Sequence, residues 1–225
     1  MTPTERRAKS IEILKEKGVP YFEQLPLLES EESIKQRSAE EIAKRALACF
    51  AAIQVACDIA GGNDVSEAWD VFGEFLDDFG IKDELTEKEK AFFNREKIPE
   101  MNAAVNMSWK YEAYWSLLWA LGIVDEFAYP DDTCDCDFAI NAVWSCDAFS
   151  DFMEKVKLRS ISEILDQTDL FYRYHWACVD ARINGREAPA SLNPGVVFER
   201  RWGLEWLIGK GTEENDYWDD VTLHT

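Results

Sequence analysis

The stretch RSISEILDQTDLFYRYHWACVDARINGREAPASLNPGVVFERRWGLEWLI, Arg159 to Ile208, decides how the rest of the chain is read, because it holds the densest mix of aromatic and charged side chains. Thr168 followed by Asp169 reads as a helix start: a hydroxyl caps free amide groups, and a first-turn carboxylate suits the positive end of the helix dipole. Asn184-Gly185 is the matching stop. Advancing each residue by roughly 100° puts Leu170, Phe171, Tyr174, Ala177, Cys178 and Ala181 on one apolar face. Tyr172, Trp176, Val179 and Ile183 fall on another. Asp169, Arg173, Asp180 and Asn184 form a narrow polar stripe between them, and His175 and Arg182 share the opposite gap. A helix with apolar surface on two sides is expected to be covered on both.

Covering such a helix buries charge, which is costly unless it is paired and hydrogen-bonded. Asp169 and Arg173 stand four apart with the acid first, the favourable order for an intrahelical pair. Two readings of the charges are open. One is a structural ion-pair lattice that fixes how neighbouring helices dock. The other is a polar pocket, with His175, Asp180 and Glu199 as candidate catalytic groups and Arg173, Arg182 and Arg200 as candidate ligand-binding groups.

At 225 residues the chain is long enough for one substantial core and does not require two, so residues 1–225 are expected to form a single, mostly helical domain. Hydrophobic residues make up 47%, which fits a folded protein and not an acidic tail. Lysine and arginine number 24 against 44 acids, a net charge of −20. That balance disfavours nucleic acid and anionic membranes and favours a basic protein partner or divalent cations. The opening MTPTERRAKS has no apolar core of a secretory signal. The longest apolar run, ALACFAAIQVAC from Ala46 to Cys57, falls short of the roughly 20 residues of a membrane span. Cys49, Cys57 and Cys178 sit in helical apolar patterns as small core residues, so no disulfide framework is expected. A cytoplasmic location with reduced thiols follows as the expectation.

Working outward, residues 4–17 read as a charged helix bearing Ile11 and Leu14, stopped by Gly18-Val19-Pro20. Ser38 to Glu41 is a capping box opening a long helix to Ala60, and Trp69, Phe72, Leu76 and Phe79 mark an amphipathic helix over 66–79. A second box, Thr86 to Glu89, starts a helix expected to reach Lys97. A single helix is expected from Met101 to Leu121. Its second half, YEAYWSLLWALG, is apolar on almost every side and is expected to be the main packing neighbour of the helix at 168–184. A short helix is expected at 147–156, and a third capping box, Ser160 to Glu163, before EILD. Asn193-Pro194 opens a last helix to about Ile208, and Trp218-Asp219-Asp220 is read as docking the tail. These elements make an all-α fold, mainly helical with at most one short β hairpin or extended connectors. The expected architecture is a single-domain orthogonal array of about eight helices around a buried central helix.

Residues 125–137, DEFAYPDDTCDCD, break the pattern. Cys134-Asp135-Cys136 with Cys146 is the nearest approach to a metal cluster. Zinc, however, takes four cysteine or histidine ligands at tighter spacing, and only His175 and His224 are present. Asp131, Asp132, Asp135 and Asp137 lack the glycine and distal glutamate of a calcium loop. The segment is read as a solvated acidic loop, with no metal and no cofactor expected. Gly209-Lys210-Gly211-Thr212 lacks the upstream glycine and the strand of a phosphate loop, and no nucleophile elbow, kinase signature or dinucleotide fingerprint appears.

Several blocks together resemble one family. They are Arg6 to Ser10 with Gly18-Val19-Pro20, Leu25-Pro26 with Glu29-Ser30-Glu31, and Arg37-Ser38 with Glu40-Glu41. Further along come Leu117 to Gly122, Arg159-Ser160 with EILD, Asp169-Leu170, Tyr172-Arg173, His175-Trp176 and Asp180-Ala181-Arg182. Gly195-Val196-Val197 with Glu199-Arg200, and the closing Trp218 to Val221, complete the set. The resemblance is to the bacterial domain of unknown function numbered 4272. It implies one soluble, mostly helical domain and supplies neither an activity nor catalytic residues; CDCD departs from the family pattern. Function is therefore not named by the sequence. The reading taken is a non-enzymatic acidic helical module that binds a protein, with no nucleic acid and no membrane. The alternative is a hydrolase or small-ligand-binding protein whose polar pocket uses Arg173, His175, Asp180, Arg182, Glu199 and Arg200.

Overall fold

The computed structural model describes residues 1–225 and is helical throughout, with no strand. In chain order the helices are α1 (Pro3–Lys17), α2 (Ala39–Gly61), α3 (Ser66–Asp78), α4 (Glu87–Lys90) and α5 (Met101–Ser108). They continue with α6 (Tyr111–Ala120), α7 (Cys136–Trp144), α8 (Phe149–Glu154), α9 (Ile161–Ile183) and α10 (Pro194–Ile208). Ten α-helices thus stand where about eight were expected, and the connectors form no hairpin. The chain divides into two compact units, residues 1–37, 126–133 and 159–225 in the first, and 38–125 with 134–158 in the second.

In the first unit α9 is the buried helix, packed on α10 and α1. The Ser160–Glu163 capping box starts it, and it runs without interruption to Ile183. Thr168 is therefore not a cap. Its hydroxyl donates to the Ile164 carbonyl at 2.8 Å from inside the helix, so two expected elements are one. Asn193 Oδ1 accepts from the Gly195 and Val196 amides, and Pro194 takes the first position of α10, where its missing N–H is not needed. Trp218 is buried and meets Trp206 edge-on at 5.5 Å, docking the tail as expected.

In the second unit α2 is the hub, packed on α3, α5 and α6. Its Ser38–Glu41 box and its left-handed Gly62 cap set both ends. Ala43, Ala46, Ala48, Ala51, Ala52 and Ala56 are all fully buried, and such short side chains let neighbouring helices come close. Here α6, buried on every side, lies against α2; the main neighbours of α9 are α10 and α1, which corrects the expected pairing. The expected helix over 101–121 is broken at Trp109 and Lys110, where hydrogen bonds tighten to the third residue back, Lys110 to Met107 and Glu112 to Trp109. Ser108 donates its hydroxyl to the Val105 carbonyl at 2.7 Å, a local bond of the kind that competes with the helix ladder. The helix from Thr86 stops at Lys90 and tightens into a 3-10 turn over Ala91–Phe93 instead of reaching Lys97. Trp69 Nε1 donates to the Phe92 carbonyl at 2.7 Å there. α7 lies in part on the segment read as a loop: Asp135 caps it through the Phe138 amide at 2.9 Å, and Ala139 and Val143 are its buried residues. No helix is long and apolar enough to cross a membrane.

Candidate functional site

The six candidate residues lie on α9 and α10. Arg173 donates through Nε and Nη2 to both carboxylate oxygens of Asp169, each at 2.8 Å, with both side chains buried. The expected intrahelical pair thus forms in its bidentate form. Arg173 Nη1 remains buried without a partner.

His175 Nδ1 lies 2.7 Å from Arg201 Nη1. A guanidinium only donates, so Nδ1 accepts and the ring proton sits on Nε2. Burial, then the charges of Arg201 and Arg182, lower the His175 pKa to about 4. The imidazole is neutral at pH 7, and its accepting nitrogen is occupied.

Arg201 also donates through Nε to Glu205 at 3.1 Å and through Nη2 to the His224 carbonyl at 2.9 Å. Its guanidinium stands 4.5 Å from the centre of the Tyr172 ring. Burial draws the Arg201 pKa down and pushes that of Glu205 up, with each partner's charge opposing the shift. Sequence reasoning missed both residues. Their spacing of four was the available signal, but with the base first it is the weaker order.

Arg200 and Asp180 have partners of their own. Glu199 is buried, and Arg200 donates to the Ala128 carbonyl at 2.9 Å with its guanidinium 5.3 Å from the centre of the Phe127 ring. Asp180 faces the turn after α9, where Arg186 reaches it at 2.5 Å and Asn184 at 3.1 Å. Arg182 is exposed. Two further arginines, named in the sequence only within the family blocks, are buried and paired. Arg6 donates to Asp166 and Glu31, each at 2.9 Å. Arg37 donates to the Trp206 carbonyl at 2.8 Å while stacking 3.9 Å over that residue's ring.

In the second unit, the end of α2 and the start of α3 enclose an open groove of about 350 Å³. Asp58, Asn63, Asp64 and Glu67 line it together with Ala68, Val71 and Phe72. Asp64 accepts from the Ser66 amide at 3.0 Å, and that bond lowers its pKa. Asn63 donates to Asp58 at 3.0 Å. Of the cysteines singled out earlier, Cys146 does not join Cys134 and Cys136; its sulfur lies 2.9 Å from Lys155 Nζ. No three His, Cys, Asp or Glu side chains are grouped so as to hold a metal ion.

A family model described as a domain of unknown function, DUF4272, matches residues 6–221. The chain belongs to the DUF4272 family. No curated protein and no solved structure matches it. The DUF4272 match runs from α1 to the 3-10 turn at Trp218–Asp220 and so takes in most of both units. Arg6, Arg37, Asp169, Arg173 and Arg200, all within the blocks that carry the resemblance, are also buried charged residues of the structure.

Proposed function

We propose that this DUF4272 protein is a non-enzymatic, acidic helical module, working in the cytoplasm as a single domain over residues 1–225, that docks a basic protein partner. The groove at the α2–α3 junction carries this reading. It sets Asp58, Asp64 and Glu67 around Ala68, Val71 and Phe72, an apolar floor under an acidic rim. A lysine or arginine side chain matches that chemistry, with its aliphatic stem on the floor and its charged head among the carboxylates. The exposed acids of α3 continue beyond it in Asp70, Glu74, Asp77 and Asp78, and the net charge of −20 steers cations toward such a surface. Further support comes from α9 and α10, where Arg173, His175, Asp180 and Arg200 already engage Asp169, Arg201, Arg186 and the Ala128 carbonyl.

The test is fluorescence polarisation with a short labelled lysine- and arginine-rich peptide, at low and at physiological salt. Binding should weaken as salt rises, and the double reversal Asp64→Lys with Glu67→Lys should weaken it by about fivefold or more. Equal binding of an acidic peptide of the same length, or no response to the double reversal, would refute the reading.

A further inference from the structure

The second unit also holds a cluster of thiols that the docking reading does not use. Cys134 ends the acidic segment, Asp135 caps α7, and Cys136 is its first residue. Asp135 stands at φ −73°, ψ 92°, close to the inverse γ-turn that folds the residues on either side toward each other. Residues two apart in such a turn lie within the Cα separation of roughly 4.4–6.8 Å that a disulfide spans.

The two thiols bear on each other's acidity. Their environments differ. Cys134 is buried, its backbone N–H donates to Glu112 Oε1 at 2.6 Å, and its sulfur lies 3.9 Å from the Tyr111 carbonyl oxygen. Cys136 is half-buried and reaches solvent. The neighbouring Cys134 thiol, against burial and the acids Glu112, Asp135 and Asp137, holds the Cys136 pKa below the usual thiol range. The amino end of α7 acts in the same direction. Cys136, burial and Glu112 together push the Cys134 pKa well above that range. Cys57 of α2 is the third thiol here; burial, then Cys136 and Asp58, push it up to about 11, so it stays protonated. Tyr111, hydrogen-bonded by Gln54, is held protonated by burial.

An accessible nucleophilic sulfur against a buried proton-bearing one is the arrangement of an attacking and a resolving cysteine. We propose that Cys134 and Cys136 form an oxidisable dithiol whose substrate is a small peroxide, with Cys136 attacking and Cys134 resolving. The Cys136 thiolate attacks one peroxide oxygen, the O–O bond breaks, and the departing hydroxide takes a proton to leave as water, which makes Cys136 a sulfenic acid. Cys134 then displaces the sulfenic hydroxyl, giving up its proton, so that the S–S bond forms and a second water leaves. Two thiols are oxidised to one disulfide and hydrogen peroxide is reduced to two waters. A small dithiol reverses the reaction by exchange.

The experiment treats the reduced full-length chain with hydrogen peroxide, alkylates the remaining thiols and maps the peptides by mass spectrometry. Free thiols should fall from six to four, with a single Cys134–Cys136 disulfide that dithiothreitol removes. Cys136→Ser should lose no thiol, and Cys134→Ser should leave a Cys136 sulfenic acid that dimedone traps. Six surviving thiols in the treated native chain, or a disulfide that joins Cys57 to either partner, would overturn the assignment. Because the native chain is read directly, a variant that fails to fold leaves the test intact.

Discussion

Asp169→Ala is the sharpest probe of how the charges of α9 are used. The substitution removes the only carboxylate bonded to Arg173, whose side chain is fully buried and whose Nη1 already lacks a partner. Breaking one side of a buried pair costs about 3–5 kcal/mol, a large part of the roughly 5–15 kcal/mol that holds a domain folded. With a urea slope of about 2–3 kcal/mol/M, the midpoint should fall by roughly 1–2.5 M at unchanged slope. Replacing both partners with apolar residues of similar size, Asp169→Leu with Arg173→Met, should recover most of the loss, since it also removes the orphaned donor. The assay is equilibrium urea unfolding followed by tryptophan fluorescence. A single-variant loss below about 1 kcal/mol, or a double variant no more stable than the sum of its singles, would refute the view that the pair is closed to water and mutually dependent.

Three further outcomes are expected. The folded-state pKa of His175 is lowered from 6.5 to about 4, so the unfolded chain binds a proton first: the stabilisation is complete above pH 6.5 and is lost as pH falls toward 4. The loss is on the order of 3 kcal/mol; buried Glu205, shifted upward, acts in the opposite sense, so the His175→Gln variant should flatten this window when the two stability–pH curves are subtracted. Gly18 and Gly122 both have φ of +71°, but a Cβ at Gly18 meets nothing within 4 Å whereas one at Gly122 would lie 2.4 Å from the Lys157 carbonyl oxygen. Gly18→Ala should therefore cost roughly 1–2 kcal/mol from the left-handed backbone alone, and Gly122→Ala roughly 1–3 kcal/mol more, by thermal or urea unfolding. Finally, the chain passes between its two units at 37/38, 125/126, 133/134 and 158/159, so neither unit is a continuous segment. If residues 1–225 act as one domain, fluorescence and circular dichroism should give coincident transitions, and two separated transitions would refute that.

Much of the local structure could be read from the sequence because its causes are local. Ser38, Thr86 and Ser160 each sit three residues before a glutamate, and each forms the reciprocal capping box that this spacing predicts. Asp169 and Arg173 stand four apart and meet as a bidentate pair. The expectation failed where a tertiary contact or a side-chain bond outweighed the pattern. Thr168 resembles a cap, but α9 already has one eight residues earlier, and its hydroxyl bonds back into the helix. α7 was hidden by the acidic composition around it, since only Ala139 and Val143 of its nine residues are buried.

The helical class, most helix ends and the need for α9 to bury charge are legible in the chain alone, because caps, glycine stops and 3.6-residue periodicity act within a few residues of chain. Which partners those charges meet is settled by the packing of distant segments. His175 could not be tied to Arg201, 26 residues away, nor Arg6 to Asp166, 160 away, by any spacing rule. The same holds for α6, whose apolar surface on every side says that it is buried but not that it lies against α2. Hydrophobic burial is non-directional, so it fixes that a face is covered and leaves the covering element to the packing of the whole chain.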